Sequence, residues 1–216
     1  GALDKSEEAV QVYDDFISQF KDSKNEEIQV QMAKTYINKG FRLGALDKSE
    51  EAVQVYDDFI SQFKDSKNEE IQIQMAKAYV NKGIKLGVLD KSEEAVQVYD
   101  DFISQFKDSK NEEIQVQMAK AYVNKGFRLG VLDRSEEAVQ VYDDLISQFK
   151  DSKNEEIQVQ MAKAYFNKGV RLGALDRSEE AVQVYDDLIS QFKDSKNEEI
   201  QDAIISATKK IARNRH

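Results

Sequence analysis

Apolar residues recur along the chain at helical spacing, in two alternating patterns. Over 47–63, Ala52, Tyr56, Phe59, Ile60 and Phe63 fall three and four residues apart, which marks one face of a helix. Over 66–86, Ile71, Met75, Tyr79 and Gly83 stand at i, i+4, i+8 and i+12, and Ile73, Ala76, Val80 and Ile84 form a second strip. The spacing predicts a B helix from Asp47 to Phe63 with one buried face. It also predicts an A helix from Ser66 to Leu86 that is buried on two sides. Asp47 with Glu50, and Ser66 with Glu69, have the spacing of capping boxes and are the expected helix starts. The polar KDSKN between Phe63 and Glu69 is the one clear connector. Glu69 and Glu70 precede Lys77, Lys82 and Lys85 along the A helix, an order that complements its dipole.

The two patterns repeat. GALDKSEEAVQVYDDFISQFKDSKNEEIQ begins at Gly1, and close copies begin at Gly44, Gly87, Gly130 and Gly173, a period of 43 residues. The first two copies differ only at Val30/Ile73, Thr35/Ala78, Ile37/Val80, Phe41/Ile84 and Arg42/Lys85. A fixed period in this range predicts a stacked array in which each repeat touches its neighbours. The expectation is an all-α fold of about ten helices, arranged as one repeat array over 1–216. Residues 196–216 read as a polar C-terminal capping helix. There Thr208, Lys209, Ala212 and Arg215 replace the earlier Tyr165, Phe166, Gly169 and Leu172, and Asp202 replaces Val159. The first B helix has no A helix before it, so its apolar surface is expected to invite stacking on another copy.

The first four A helices each carry two glycines four apart, as in NKGFRLGALD, and with Gly1 these pairs are all nine glycines of the chain. A helical glycine costs about 0.8–1 kcal/mol relative to alanine, so the placement needs a reason. Gly40 is expected to let a bulky side chain of the neighbouring helix approach the backbone. Gly44 is expected near the helix end, where a turn begins. Flanking Lys and Arg exclude a membrane helix-packing motif, and glycines that end a helix do not form a phosphate loop.

The repeat resembles the tetratricopeptide family, whose signature is roughly W-x2-L-G-x2-Y…A-x3-F…P. Here Tyr36-x2-Lys39-Gly40-x2-Leu43…Ala52-x3-Tyr56 fills that frame, and it recurs from Tyr79, Tyr122 and Tyr165. All nine tyrosines fall on its two large-aromatic positions. Lysine stands where the family has leucine before the glycine, the closing proline is absent, and KNEEIQVQM lengthens the A helix by roughly 13 Å. The resemblance implies an α-solenoid of stacked antiparallel helix pairs wound as a right-handed superhelix. It also implies a protein-interaction scaffold that binds an extended or helical peptide in a concave groove lined by the A helices.

By that resemblance the groove residues are Lys34, Ile37, Asn38 and Phe41, then Lys77, Val80, Asn81 and Ile84. Lys120, Val123, Asn124 and Phe127 follow, and then Lys163, Phe166, Asn167 and Val170. Ala45, Val88, Val131 and Ala174 extend the same face. In family members an asparagine at this place holds a peptide backbone, and the nearby lysine meets acidic groups. An amide suits that work because it donates and accepts at once. Apolar Ile37 and Phe41 stand where the family's carboxylate clamp has lysine and asparagine. The implied groove is therefore apolar, with an asparagine line and a basic edge.

Composition narrows the alternatives. The chain has no cysteine, proline or tryptophan, its one histidine is His216, and its net charge is −10. No thiol nucleophile or histidine base stands beside the recurring serines, and no cofactor or metal-ligand motif occurs, so an enzyme is not expected. The paired Asp57 and Asp58 read as a solvated face. Excess acidic charge argues against nucleic-acid binding, and no apolar run is long enough to span a membrane. Nothing at the N-terminus resembles a signal peptide, and a cytoplasmic location is the expectation. The expected partner is a protein or peptide segment. The alternatives are a structural array that associates end to end, and an engineered or truncated repeat fragment without a ligand.

Overall fold

The structure is a computed structural model. It describes residues 2–214, with side chains described from 5 to 213, so Arg215 and His216 lie outside the described residues. Ten helices and no strand occur among the described residues. The B helices are α1 (Ala2–Phe20), α3 (Ser49–Phe63), α5 (Ser92–Phe106), α7 (Ser135–Phe149) and α9 (Ser178–Phe192). The A helices are α2 (Glu26–Ala45), α4 (Glu69–Val88), α6 (Glu112–Val131), α8 (Glu155–Ala174) and α10 (Glu198–Asn214). The class is all-α, a succession of packed helix pairs. Contacts group into two compact units, 1–117 and 118–216, divided within α6. In the first unit α1 to α5 pack consecutively, and α2 also touches α4; in the second, α7 to α10 pack consecutively and α8 touches α10. The A helices therefore form the crowded layer of each unit, as their two apolar strips require.

Helix starts and stops differ from the sequence expectation. The A helix begins at Glu69, capped by Asn68, whose side-chain oxygen accepts from the Ile71 amide at 3.1 Å. Ser66 instead accepts from the Asn68 amide at 3.3 Å and shapes the connector. The B helix begins at Ser49, and its cap residue, Lys48, makes no side-chain cap hydrogen bond. Asp47 lies outside the helix at φ 59°, and Asp90, Asp133 and Asp176 repeat it at 58°, 57° and 57°. The A helix runs through Gly44 to Ala45, and no glycine has a positive φ. The turn is made at aspartate, whose short polar side chain tolerates the left-handed region. It is closed by the Lys48 amide donating to the Leu43 carbonyl at 2.9 Å.

The glycines answer to neighbours. A Cβ built on Gly40 would lie 2.5 Å from Cε1 of Tyr56, inside the ring's own volume, and the same holds for Gly126 against Tyr142. Gly83 faces Tyr99 and Gly169 faces Tyr185 in the same way. Each of these tyrosines is almost wholly buried. A ring buried to that depth contributes about 2–3 kcal/mol, which outweighs the propensity cost of one glycine. The second glycine admits a cation from the next A helix. Lys85 lies over Gly44, and Arg171 donates from Nη1 to the Gly130 carbonyl at 3.1 Å. That cation sits at a helix C-terminus, where the dipole favours it. Gly173 has nothing within 4 Å.

The lysine that replaces the family's leucine is also explained. Lys39, Lys82 and Lys168 each form an ion pair with the preceding B helix, at Asp14, Asp57 and Asp143, the last at 2.5 Å. Each lysine is mostly covered, so its stem packs while its charge is met. Asp58, beside Asp57, accepts from Gln54 at 2.8 Å on the exposed side.

Two glycines of α8 provide an internal comparison. Gly169→Ala is expected to lower stability by about 1–3 kcal/mol through overpacking against Tyr185. Gly173→Ala is expected to raise it by up to about 1 kcal/mol through helix propensity. Thermal and urea unfolding of the two variants beside the parent check this; equal shifts would contradict the packing account.

Candidate functional site

Along each A helix the residues proposed for the groove fall into three groups with different surroundings. The lysines are engaged. Lys34 pairs with Glu70 at 2.5 Å and Lys77 with Glu113 at 3.3 Å in the first unit. Lys120 pairs with Glu156 at 2.9 Å and Lys163 with Glu199 at 2.5 Å in the second. Each bridge runs from the middle of one A helix to the first turn of the next, where a glutamate already favours the dipole. These half-exposed pairs are worth at most about 1 kcal/mol each. They leave the lysines partly neutralised as acidic-peptide contacts. The glutamates were not foreseen as partners, although the constant spacing of 36 residues between pair members was open to inspection.

The asparagines differ among themselves. Asn38 is exposed, while Asn81, Asn124 and Asn167 are half-buried. Burial pushes the Tyr56 hydroxyl up to about 12, and the Asn81 amide acts on it in the opposite sense. Asn167 does the same for Tyr142, whose pKa is also raised by burial. Each amide thus lies beside a tyrosine ring that fills a glycine notch, and it favours the ionised phenol while burial disfavours it. The hydroxyls on the other aromatic position are served differently. Tyr36 donates to Gln62 at 2.9 Å and Tyr79 to Gln105 at 2.9 Å.

The apolar members divide by depth. Val80 and Val123 are buried, and Ile37 and Val170 half-buried. Phe166 is half-buried, with its ring 5.9 Å from that of Tyr185. Phe41 is 63% exposed, Ile84 38% and Phe127 51%, and Val88 and Val131 are exposed at the following turn. The first unit thus presents Phe41, Ile84 and Val88 from α2 and α4, and the second presents Phe127 and Val131 from α6. Arg128 lies over the Phe127 ring at 5.1 Å, a cation–π contact. Ala45 and Ala174 are exposed as well. In α10 the altered Asp202, Thr208, Lys209 and Ala212 are all exposed.

Among the described residues no group of three His, Cys, Asp or Glu is placed to hold a metal ion, and no helix is long and apolar enough to cross a membrane. The tyrosines give the clearest titration behaviour. Tyr56 and Tyr185 are both pushed up by burial to about 12, from an ordinary 10.0. A raised acid favours the neutral folded form. The stability it contributes is complete below pH 10 and is lost as the pH climbs through the folded value. Unfolding is therefore expected between about pH 10 and pH 12, with tyrosinate absorbance rising in step with loss of helix. Asn81→Ala is expected to delay Tyr56 ionisation further and to cost about 1 kcal/mol. A titration and melt identical to the parent's would show that Asn81 is only a polar surface residue.

The helix pair α8–α9 provides the match to known proteins: residues 156–195 fit the family model described as Tetratricopeptide repeat. No curated protein matches the chain. Two solved structures share the fold at low sequence identity. One is the crystal structure of an engineered protein, with TM-score 0.54 and 19% identity, covering 95% of this chain and 80% of that one. The other is the crystal structure of BtubC (BKLC) from P. vanneervenii, with TM-score 0.59 and 11% identity, covering 99% of this chain and 88% of that one. With the matched hairpin repeated at a 43-residue period throughout, the chain is a tetratricopeptide-like helical repeat protein.

Proposed function

We propose that the protein is an interaction scaffold that binds an extended or helical peptide segment on the A-helix face of each compact unit. The observation that carries this reading is the exposure of large apolar side chains at the same repeat position, Phe41, Ile84 and Phe127. The neighbouring lysines are paired with glutamates of the next A helix, whereas Phe41 and Phe127 are more than half exposed. Solenoids bind partners along such a face, and clustered exposed aromatic and aliphatic side chains mark binding surfaces more often than isolated ones do. The ligand chemistry that fits is a segment with apolar side chains. The asparagine edge offers secondary hydrogen bonds, Asn38 most freely.

The reading is tested by comparing proteins captured from a cell lysate by the parent and by a Phe41→Ser, Ile84→Ser, Phe127→Ser variant. These positions are exposed, so the variant is expected to fold with only a small change in stability. A partner held by the parent and lost from the variant supports the apolar face as its site. Identical capture by both would contradict it. Asn38→Ala is expected to weaken the same capture by less than about tenfold, the effect of one net hydrogen bond.

A further inference from the structure

Two cations of the A-helix face stand apart from the ion pairs described above. Positions 71–89 and 157–175, which span most of α4 and α8, hold no carboxylate. Lys77, Lys82, Lys163 and Lys168 within them are paired with carboxylates of other helices. Lys85 and Arg171 are half-buried, and among the described residues neither forms an ion pair. Carboxylates are plentiful elsewhere. Helices α3, α5, α7 and α9 each carry four and no cation, and the net charge is −10.

A glycine decides where each of these cations rests. Lys85 lies over Gly44 in the first unit, and Arg171 lies over Gly130 in the second, donating from Nη1 to the glycine carbonyl at 3.1 Å. A Cβ on Gly130 would stand 2.6 Å from Nη1 and 2.8 Å from Cζ, so an alanine there would displace the guanidinium. Each glycine is one turn beyond an exposed aromatic residue, Phe41 or Phe127, and is followed by exposed Ala45 or Val131. On the helix that supplies Lys85, Ile84 and Val88 are exposed. The charge is therefore held among the exposed apolar side chains of the A-helix face. A helix C-terminus accounts for a cation at this place. It does not account for a cation set among exposed apolar groups and apart from every carboxylate of an acidic chain.

We infer that the glycine-seated cation is a subsite for an acidic side chain of the bound segment, an aspartate or glutamate flanked by apolar residues. The inference rests on the apolar A-helix face being the binding surface, and adds the charge that its ligand carries. Apolar residues of the segment pack on Ile84 and Val88 in the first unit, or on Phe127 and Val131 in the second. The carboxylate between them meets Lys85 or Arg171. Arg171 spends a donor on the Gly130 carbonyl and keeps others for the ligand. Partial burial strengthens such a pair relative to one in open water. Lys34, Lys77, Lys120 and Lys163 do not compete for the ligand's acid, because glutamates already hold them. A side-chain carboxylate fits better than a terminal one, since the subsite occurs in both units and a ligand chain has a single C-terminus.

The test uses the full chain and a library of random peptides of about 12 residues, immobilised with amidated C-termini so that only side-chain carboxylates can answer. The expected selection is of peptides in which aspartate or glutamate stands beside large apolar residues. For a selected peptide free in solution, replacing its acid by the matching amide is expected to weaken binding by about fivefold. Against a Lys85→Gln, Arg171→Gln chain, shown to be folded by circular dichroism, the same replacement is expected to change binding by less than about twofold. Selection of apolar peptides with no preference for acid would leave the apolar face as a binding surface and overturn the carboxylate subsite. An acid preference that survives in the Lys85→Gln, Arg171→Gln chain would place the acid elsewhere and overturn it too. Binding that appears only with a free terminal carboxylate would make the C-terminus the ligand, with the same consequence. Peptides held equally by the Phe41→Ser, Ile84→Ser, Phe127→Ser chain would remove the apolar face itself, and the subsite with it. A library from which nothing is selected would overturn the inference whatever the lysate capture shows.

Discussion

The structure depends on one contact, the tyrosine ring of a B helix seated against a bare glycine backbone of the A helix before it. Tyr56 on Gly40 and Tyr99 on Gly83 are the instances in the first unit, and Tyr142 on Gly126 and Tyr185 on Gly169 those in the second. A ring can lie on a helix backbone only where no Cβ intervenes, so the glycine fixes where the two axes approach. Close packing at that point leaves no room for adjustment. Neighbouring interactions are arranged around it. The lysine before one glycine reaches back to the aspartate after the tyrosine of the preceding contact, as Lys82 before Gly83 does to Asp57 after Tyr56. The asparagine a half-turn before one glycine acts on the tyrosine of the preceding contact, as Asn81 before Gly83 does on Tyr56.

This arrangement assigns most of the A helix to structure. Ile71, Met75, Ala76 and Val80 are buried, Gly83 is covered by a ring, and Lys77 is tied to Glu113. What remains accessible is narrow: Phe41, Ile84 and Phe127 with the valines one turn on. An apolar side chain in water costs the folded state nothing relative to the unfolded chain, and it contributes nothing either, so its recurrence at one repeat position suits a role in binding.

The period, the two helices per repeat and the two-sided burial of the A helix were legible because periodic spacing reports directly on burial. The role of Gly40 was legible too, because a glycine in mid-helix demands a close neighbour. Helix starts were misread because Asp47 and Ser66 are good caps by type. The choice between Ser66 and Asn68 depends on where the connector turns, and Asp47 was needed at a positive φ instead. Gly44 was taken for a turn residue, but the side chain that passes over it comes from position 85, which no local pattern announces. The groove lysines and asparagines looked free for the same reason. The lysines' partners lie 36 residues ahead, and the tyrosines beside Asn81 and Asn167 lie 25 residues behind, on other helices. Of the apolar groove candidates, Phe41, Ile84 and Phe127 are exposed, whereas Val80 and Val123, one turn earlier, are buried.

The central claim is that the glycine is present to admit the tyrosine. It is tested most directly by a double-mutant cycle on Gly40→Ala and Tyr56→Leu, read by equilibrium unfolding of the parent, both single variants and the double variant. If the ring and the missing Cβ define one contact, the alanine penalty largely disappears once the ring is gone, giving a coupling of about 1–3 kcal/mol. Effects that add to within about 0.5 kcal/mol would mean that glycine and tyrosine act independently, and would contradict the account.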